Sequence, residues 1–341
     1  MLHFDSDYME GAHPAVMERL VKTNLESTPG YTEDSYCSQA RDLIRKACTC
    51  PEAEVYFLVG GTQTNAIAVS AVLKPYEGVV AADTGHINQH EAGAIEATGH
   101  KVLGLPHTDG RLQADVLDRY MSGFLADESA GHMVCPGMVY ISHPTEYGTL
   151  YSLSELRALS DVCRRYGLPL YMDGARLGYG LAAPDSDVNL EDIASLCDMF
   201  YIGGTKAGAL FGEALVITAP VALRQMITHI KRQGALLAKG RLLGVQFGAL
   251  FSDGLYLEIS RHAIRMAGLL TDALKSKGYV FFTPPQTNQV FPVLDSGALV
   301  RLRQNATFSI WQRLDQSHVV ARFVTSWATR EEDVRELIAL L

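Results

Sequence analysis

The sequence lacks cysteines paired at metal-ligand spacing. Its six cysteines, Cys37, Cys48, Cys50, Cys135, Cys163 and Cys197, form no C-x-x-C pair, and Cys48-Thr-Cys50 reads as incidental. Long apolar runs are also missing: the stretch around 242–251 is interrupted by Gln246 and is far too short to span a bilayer. The opening MLHFDSDYMEG is acidic and has no apolar h-region, so a signal peptide is not expected. There is no basic excess. With 38 acidic and 29 basic residues the formal net charge is −9, which disfavours a nucleic-acid groove but leaves room for a local anion pocket. Internal repeats, low-complexity tracts and Pro/Ser-rich linkers are absent. Neither nucleic acid nor membrane is therefore an expected partner, and a reducing cytoplasm is the expected compartment. What is present is an ordinary globular balance, 48% apolar and 20% charged over 341 residues. That length suggests about two domains and a core that needs no disulfide or structural metal.

Strand-like and helical patterns alternate through the first two-thirds of the chain. Residues 54–59 read as a buried strand, stopped by Gly60-Gly61-Thr62, and 63–73 as a helix. Residues 78–82 and 101–105 read as extended, with 90–98 helical between them. The strands 137–142 and 168–172 flank an amphipathic helix over 153–166, and 199–202 and 214–218 add two more strands. This alternation predicts an α/β domain with a largely parallel sheet. A mostly helical stretch then runs from 221 to about 274, broken by Gly234, Gly240 and Gly254. Strand-like runs follow at 279–283, 289–293, 306–311 and 319–325. A closing helix carries a Thr329/Glu332 capping box and a stripe of Val334, Leu337, Ile338 and Leu341. The tail reads as a small α+β domain.

Four segments carry chemistry. In Met199-Phe-Tyr-Ile-Gly-Gly-Thr-Lys206, a strand ends in two glycines before a hydroxyl residue and a lysine. A confined lysine can lose its proton and attack a carbonyl; the bland alternative is a lysine in a surface turn. In Leu168-Pro-Leu-Tyr-Met-Asp173-Gly-Ala-Arg176, an apolar strand delivers an aspartate where open α/β sheets place ligands. The bland alternative is a structural Asp–Arg pair. Asp173 precedes Lys206 by 33 residues, one strand–helix–strand excursion, which suits pyridoxal phosphate. The lysine would hold the aldehyde and the aspartate the ring nitrogen, making the ring a better electron sink. Gly60-Gly61-Thr62-Gln63 opens a helix after a strand and can cradle a phosphate, although it matches neither a Walker loop nor GxGxxG. In His86-Ile-Asn-Gln-His90-Glu91, a histidine face can stack on a pyridine ring. The His-x-x-x-His-Glu spacing suggests a metal only if a third ligand exists, and the sequence offers none in a recognisable pattern, so no metal is expected.

Taken in order, GGT, HIxxxEAG, MDGARL and TK before a glycine-rich stretch resemble the fold-type I pyridoxal-phosphate enzymes. Within them the chain resembles the L-threonine aldolase and aromatic β-eliminating lyase group, and the resemblance extends over nearly the whole chain, from Phe4-Asp5-Ser6-Asp7 to Arg322-Phe-Val-Thr. It implies a large domain with a mostly parallel sheet plus a small α+β C-terminal domain. The division would be a site-lining segment (1–20), a cofactor-binding domain (21–245) and a small domain (246–341). It also implies pyridoxal 5′-phosphate attached to Lys206, with Asp173 at the ring nitrogen and His86 stacked on the ring. Gly61, Thr62, Gln63 (through its backbone) and Thr205 would hold the phosphate. Ser6, Arg176 and Arg322 would hold the substrate carboxylate. Tyr31 would reach the site of a neighbouring subunit, and Lys239 or Arg241 would supply a cross-subunit phosphate contact, in a homodimer or homotetramer with shared sites.

The implied reaction cleaves a β-hydroxy-α-amino acid, threonine-like or phenylserine-like, to glycine and an aldehyde. β-Elimination is the chief rival; aminotransfer, racemisation and a non-catalytic cofactor-binding protein rank behind it. Two departures from the family stand out. Ser142-His143-Pro144-Thr145-Glu146 replaces a Thr-His-Asn stretch, so that Thr145 falls at the histidine's place, with Glu146 beside it and His143 two residues early. Gly-Gly-Thr-Lys replaces the more usual Ser-Lys-Gly context. His86, His143 and Glu146 are thus the candidate bases near the substrate.

Overall fold

A computed structural model describes residues 1–219 and 225–341. Its strands, in chain order, are β1 (Leu2–His3), β2 (Glu54–Leu58), β3 (Glu77–Ala82), β4 (Val102–Leu105), β5 (Cys135–Ser142), β6 (Leu170–Asp173) and β7 (Met199–Gly203). They continue as β8 (Glu213–Ile217), β9 (Gln289–Val290), β10 (Val293–Asp295), β11 (Ala306–Thr307), β12 (Ser309–Arg313) and β13 (His318–Val324). Seven of them form one sheet in the order β2-β8-β7-β6-β5-β3-β4. All its pairings are parallel except the two that β8 makes. Strands β6, β7 and β8 are buried along their whole length, which is why they read as continuous apolar runs rather than alternating ones. Apolar clusters cover both faces: one includes Ile44, Leu159 and Phe247, the other Ile67, Tyr171 and Ile230.

The helix Leu153–Tyr166 begins with a Ser152/Glu155 capping box and ends at Gly167 in the left-handed region, φ 66°. Polar N-cap, glycine stop and a buried stripe of Leu156, Leu159 and Cys163 agree, and its bounds match the expectation. Other expectations give way. Residues 90–98 are not one helix: His86–Gln89 is a short helix, Glu96–Thr98 a 3-10 turn, and Ala92 and Gly93 between them take φ of 51° and 75°. Those left-handed residues reverse the chain, which no helix can do. The expected strand at 279–283 is a single bridge, Phe281 to Pro292, and the run at 289–293 divides between β9 and β10. The final helix, Glu331–Leu340, takes Arg330 as its N-cap, one residue past the predicted Thr329. The Thr329 hydroxyl instead accepts from the Ser326 N–H. The long helical stretch divides at its glycines into Met226–Arg232, Arg241–Leu250 and Leu255–Ser276; its start, 221–224, lies outside the described residues.

The amino terminus belongs with the end of the chain. Strand β1 pairs in parallel with β11, and Leu2 and Phe4 pack in a third apolar cluster with Leu270, Phe308 and Phe323. Strand β13 is the centre of the small sheet, flanked by β10, β12 and β9. This closure carries residues 5–8 across the mouth of the large sheet. The buried Asp7 there accepts from Arg176 Nε at 2.7 Å and Asn288 Nδ2 at 2.9 Å.

Candidate active site

The carboxyl ends of the parallel strands face one cavity of about 340 Å³. Asp173 is the last residue of β6 and Ser142 the last of β5; Gly60-Gly61 follows β2 and Lys206 follows β7. Because β8 runs the other way, its first residue, Glu213, reaches the same edge. The cavity is lined by Gly61, Thr62, His86, Thr145, Glu146, Asp173, Arg176, Thr205 and Lys206 among others.

Asp173 is 4% exposed. Burial by itself would raise its pKa, but the His86 charge and hydrogen bonds from Asn65 and the Ala175 N–H hold it below the usual carboxylate range. The Tyr140 hydroxyl also donates to it at 2.7 Å. Lys206 is pushed down by burial and by the Arg176 guanidinium, which favours its neutral, nucleophilic form. His86 is raised: the hydrogen bond to Glu91 and the charges of Asp173 and Glu91 outweigh burial. Glu146 is raised by burial, although its Oε1 accepts from the His86 N–H at 2.8 Å and from Ser142 Oγ at 2.6 Å.

The helix Gly61–Val72 starts at the cavity. The Thr64 N–H is the first to bond back, to the Gly60 carbonyl, so the N–H groups of Gly61, Thr62 and Gln63 stand at an open helix terminus suited to an anion. A side chain on Gly61 would bring Cβ to 2.9 Å from the buried Tyr201 hydroxyl, so the backbone can come this close only as glycine. The Gln63 side chain turns away and accepts from the Val59 N–H at 3.2 Å. Thr205 Oγ1 is 2.9 Å from Glu213 Oε1. Open helix amides, a buried carboxylate, a lysine whose pKa is lowered by burial and an imidazole on one cavity form a donor set that fits pyridoxal phosphate.

Several expected site residues sit differently. Arg176 lines the cavity, and its Nε and Nη2 are engaged by the buried Asp7 carboxylate at 2.7 and 3.0 Å, which leaves Nη1 without a hydrogen bond among the described residues. The partner is not Asp173, three residues earlier in the chain, but Asp7 from the amino-terminal segment. His143 is fully buried beneath the cavity wall; its Nδ1 accepts from the Tyr151 N–H at 3.4 Å, and burial lowers its pKa to about 4. It does not line the cavity, because the side chain one residue past the end of β5 points to the opposite face from Ser142. The Thr145 hydroxyl is tied to Thr149 Oγ1 at 2.6 Å, within its own turn. Tyr8 rather than Ser6 lines the wall. Arg322 lies outside the lining but is held by the Asp5 carbonyl at 3.2 Å and over the Trp311 ring at 5.4 Å. Its buried Nε has no partner among the described residues. An orphaned guanidinium donor is what a carboxylate ligand would satisfy. Tyr31, Lys239 and Arg241, expected at a neighbouring subunit's site, lie outside this chain's own cavity: Tyr31 is exposed under Lys231 Nζ, Lys239 is exposed, and Arg241 donates to the Thr23 and Asn24 carbonyls.

Residues the sequence reading gave no role to are Asp7, Asn65 and Glu213. Asn65 is fully buried beside Thr64 at the start of a helix that continues with buried Ala, Ile and Val, and Glu213 opens an apolar strand. For Glu213 a carboxylate at the head of an apolar run was the available signal, whereas Asn65 follows the polar Thr62-Gln63-Thr64 and no local pattern marks it. Of the His86/His90/Glu91 run, His86 and Glu91 come together with Asp173, and His90 stays outside the group. Ligand atoms of His86, Glu91 and Asp173 lie within 4.8 Å of one another, with Glu91 Oε1 and Asp173 Oδ2 both occupied by the Asn65 amide.

The match of the chain to known proteins agrees with this geometry. The family described as β-eliminating lyase matches residues 3–296. A low specificity L-threonine aldolase of a Pseudomonas species is 30% identical over 340 residues, covering 98% of this chain and 96% of that protein. The solved threonine aldolase of Leishmania major is 42% identical and superposes with a TM-score of 0.96 over 99% of this chain and 98% of that one. A Thermus thermophilus aspartate aminotransferase, at 15% identity and a TM-score of 0.72 over 100% of this chain and 90% of that one, shares the fold. With its sheet, its cavity at the strand ends and its sequence matched over nearly its whole length, this chain belongs to the β-eliminating lyase family.

Proposed function

We propose that the protein is a pyridoxal-phosphate-dependent aldolase that cleaves a β-hydroxy-α-amino acid to glycine and an aldehyde. The observation that carries this reading is the convergence of Lys206, Asp173, His86 and the open helix terminus at Gly61 on one cavity. Both threonine aldolases described above, matched over almost their full length, support the substrate class. When bound, pyridoxal phosphate supplies an electron sink for the bonding pair released at Cα.

The chain's own residues do the rest. The Lys206 amine would hold the cofactor through its aldehyde and be released from it when the amine of the amino acid takes its place. Asp173, its pKa held low, would keep a proton on the cofactor's ring nitrogen, and the Gly61, Thr62 and Gln63 amides with Thr205 would hold its phosphate. Arg322 binds the α-carboxylate with the donor left free by Asp5 and Ser309, and so orients the Cα–Cβ bond for cleavage. In that cleavage the Cα–Cβ bond breaks, the β-hydroxyl loses its proton to His86 or Glu146, and Cα gains one. Base assistance of this sort contributes roughly 10²–10⁴ in rate.

The test is a product assay on purified enzyme with threonine, allo-threonine and phenylserine. Stoichiometric glycine and aldehyde are expected. Ammonia with a 2-keto acid and no glycine would replace this reading by β-elimination.

A further inference from the structure

Glu91 is unused by the reaction as described, yet its side chain is wholly buried beside the site. Its Oε1 lies 2.7 Å from His86 Nδ1 and accepts from Asn65 Nδ2 at 2.7 Å. The second hydrogen of that same Asn65 amide goes to Asp173 Oδ2 at 3.0 Å, and Tyr171 fixes the amide by donating to its oxygen at 2.8 Å. The amide therefore cannot flip without losing three bonds, and Glu91 Oε1 can only accept. A carboxylate oxygen facing an imidazole nitrogen requires a proton on that nitrogen. The chain reaches this arrangement through the left-handed Ala92, a non-glycine residue at φ 51°, immediately after Glu91.

We propose that Glu91 is a positioning residue for His86: it holds the proton on Nδ1 and fixes the ring, leaving Nε2 as the basic atom presented to the cavity. Asn65 ties this pair to Asp173, so the groups that orient the base and the cofactor ring share one rigid bridge. The same logic operates wherever a carboxylate sets a histidine tautomer for base duty. The inference deepens the aldolase reading, because it names the atom on His86 that receives the proton.

The charged and titratable groups facing His86 are Glu91 and His90 from its own loop, Asp173 at the end of β6, Glu146 after β5 and Lys206 after β7. Asp173 and Glu91 favour its charged form, and Lys206 opposes it. Removing the Glu91 charge should therefore lower the His86 pKa and free its tautomer.

The experiment is nitrogen-15 NMR of histidine-labelled full-length protein, with and without pyridoxal phosphate, with His86 assigned from His86→Asn. Wild type should show Nδ1 protonated and Nε2 bare above the ring's pKa. In Glu91→Gln the pKa should fall by about one unit or more, and in Glu91→Ala the Nε2–H tautomer should appear. Turnover should fall at least about tenfold in both, with KM little changed and the acid limb of the kcat profile displaced to lower pH. If His86 keeps its tautomer and pKa in both variants, the proposal is overturned, whatever happens to activity. The NMR readings need no substrate, so their failure leaves the product assay of the aldolase reading untouched.

Discussion

Two arginines that look equivalent in the sequence have different surroundings. Arg176 is paired through two nitrogens to Asp7, whose side chain is wholly buried, whereas Arg322 has a buried donor without a partner among the described residues. Arg176→Met would leave the Asp7 carboxylate buried and uncompensated. We expect a loss of about 3–5 kcal/mol in urea unfolding, partly recovered in the double variant Asp7→Asn/Arg176→Met. Arg322→Lys should leave the unfolding midpoint unchanged and lower kcat/KM by about one to two powers of ten, because a point charge cannot reproduce the planar fork. Equal stability losses in the two variants would contradict this division. Borohydride reduction followed by peptide mapping should label Lys206 alone; a label on Lys239 or Lys231 with Lys206 clean would remove it from the attachment role.

At the scale of elements, close approach matters more than propensity. The helix Arg241–Leu250 carries Gly244 and Gly248, poor helix formers, yet it is buried from Leu243 to Leu250. A Cβ on Gly244 would lie 2.5 Å from the Cys37 backbone nitrogen and 2.6 Å from its Cα, so the glycine lets this helix touch the helix Ser35–Ala47. Backbone atoms cannot swing aside as a side chain can. Gly244→Ala should therefore destabilise by about 1–3 kcal/mol despite alanine's better propensity, measured as a lower denaturant midpoint. Capping shows the same hierarchy. The Ser152/Glu155 box forms as its spacing predicts, but Thr329, four residues past Thr325 at the edge of the small sheet, turns back to Ser326 and leaves Arg330 as the uncapped start.

At the scale of the whole molecule, two buried groups tilt stability in opposite directions with pH. His143 has its pKa lowered by burial to about 4, below the ordinary 6.5. The unfolded chain binds that proton first, so stability is lost as pH falls from about 6.5 to about 4, by up to roughly 3 kcal/mol. Glu213 is raised by burial to about 8 from 4.5. The folded chain holds that proton longer, so its contribution is full below about 4.5 and is lost as pH rises toward about 8. Thermal unfolding of the cofactor-free protein across pH 4–8.5 should show the acid slope flattened in His143→Gln and the alkaline slope flattened in Glu213→Gln. Unchanged slopes would mean that these groups titrate alike in folded and unfolded chains.

The sequence by itself determined the alternation of strands and helices, the parallel sheet and the residues at its strand ends. Each of these is local: β6 and β7 are runs of apolar residues that end in Asp173 and in Gly203 ahead of Lys206, and the helix after β2 opens on glycine. The tertiary structure alone decided which polar groups pair across the site. Asp7 meets Arg176 across 169 residues and Asn65 meets Asp173 across 108, and no spacing rule reaches that far. It also decided that His143 faces away from the cavity and that Arg322 keeps a free donor, because strand pleat and the packing of the small sheet set those directions. Local pattern fixes the backbone hydrogen bonds an element makes with itself. Which buried charge finds which partner depends on where whole elements come to rest.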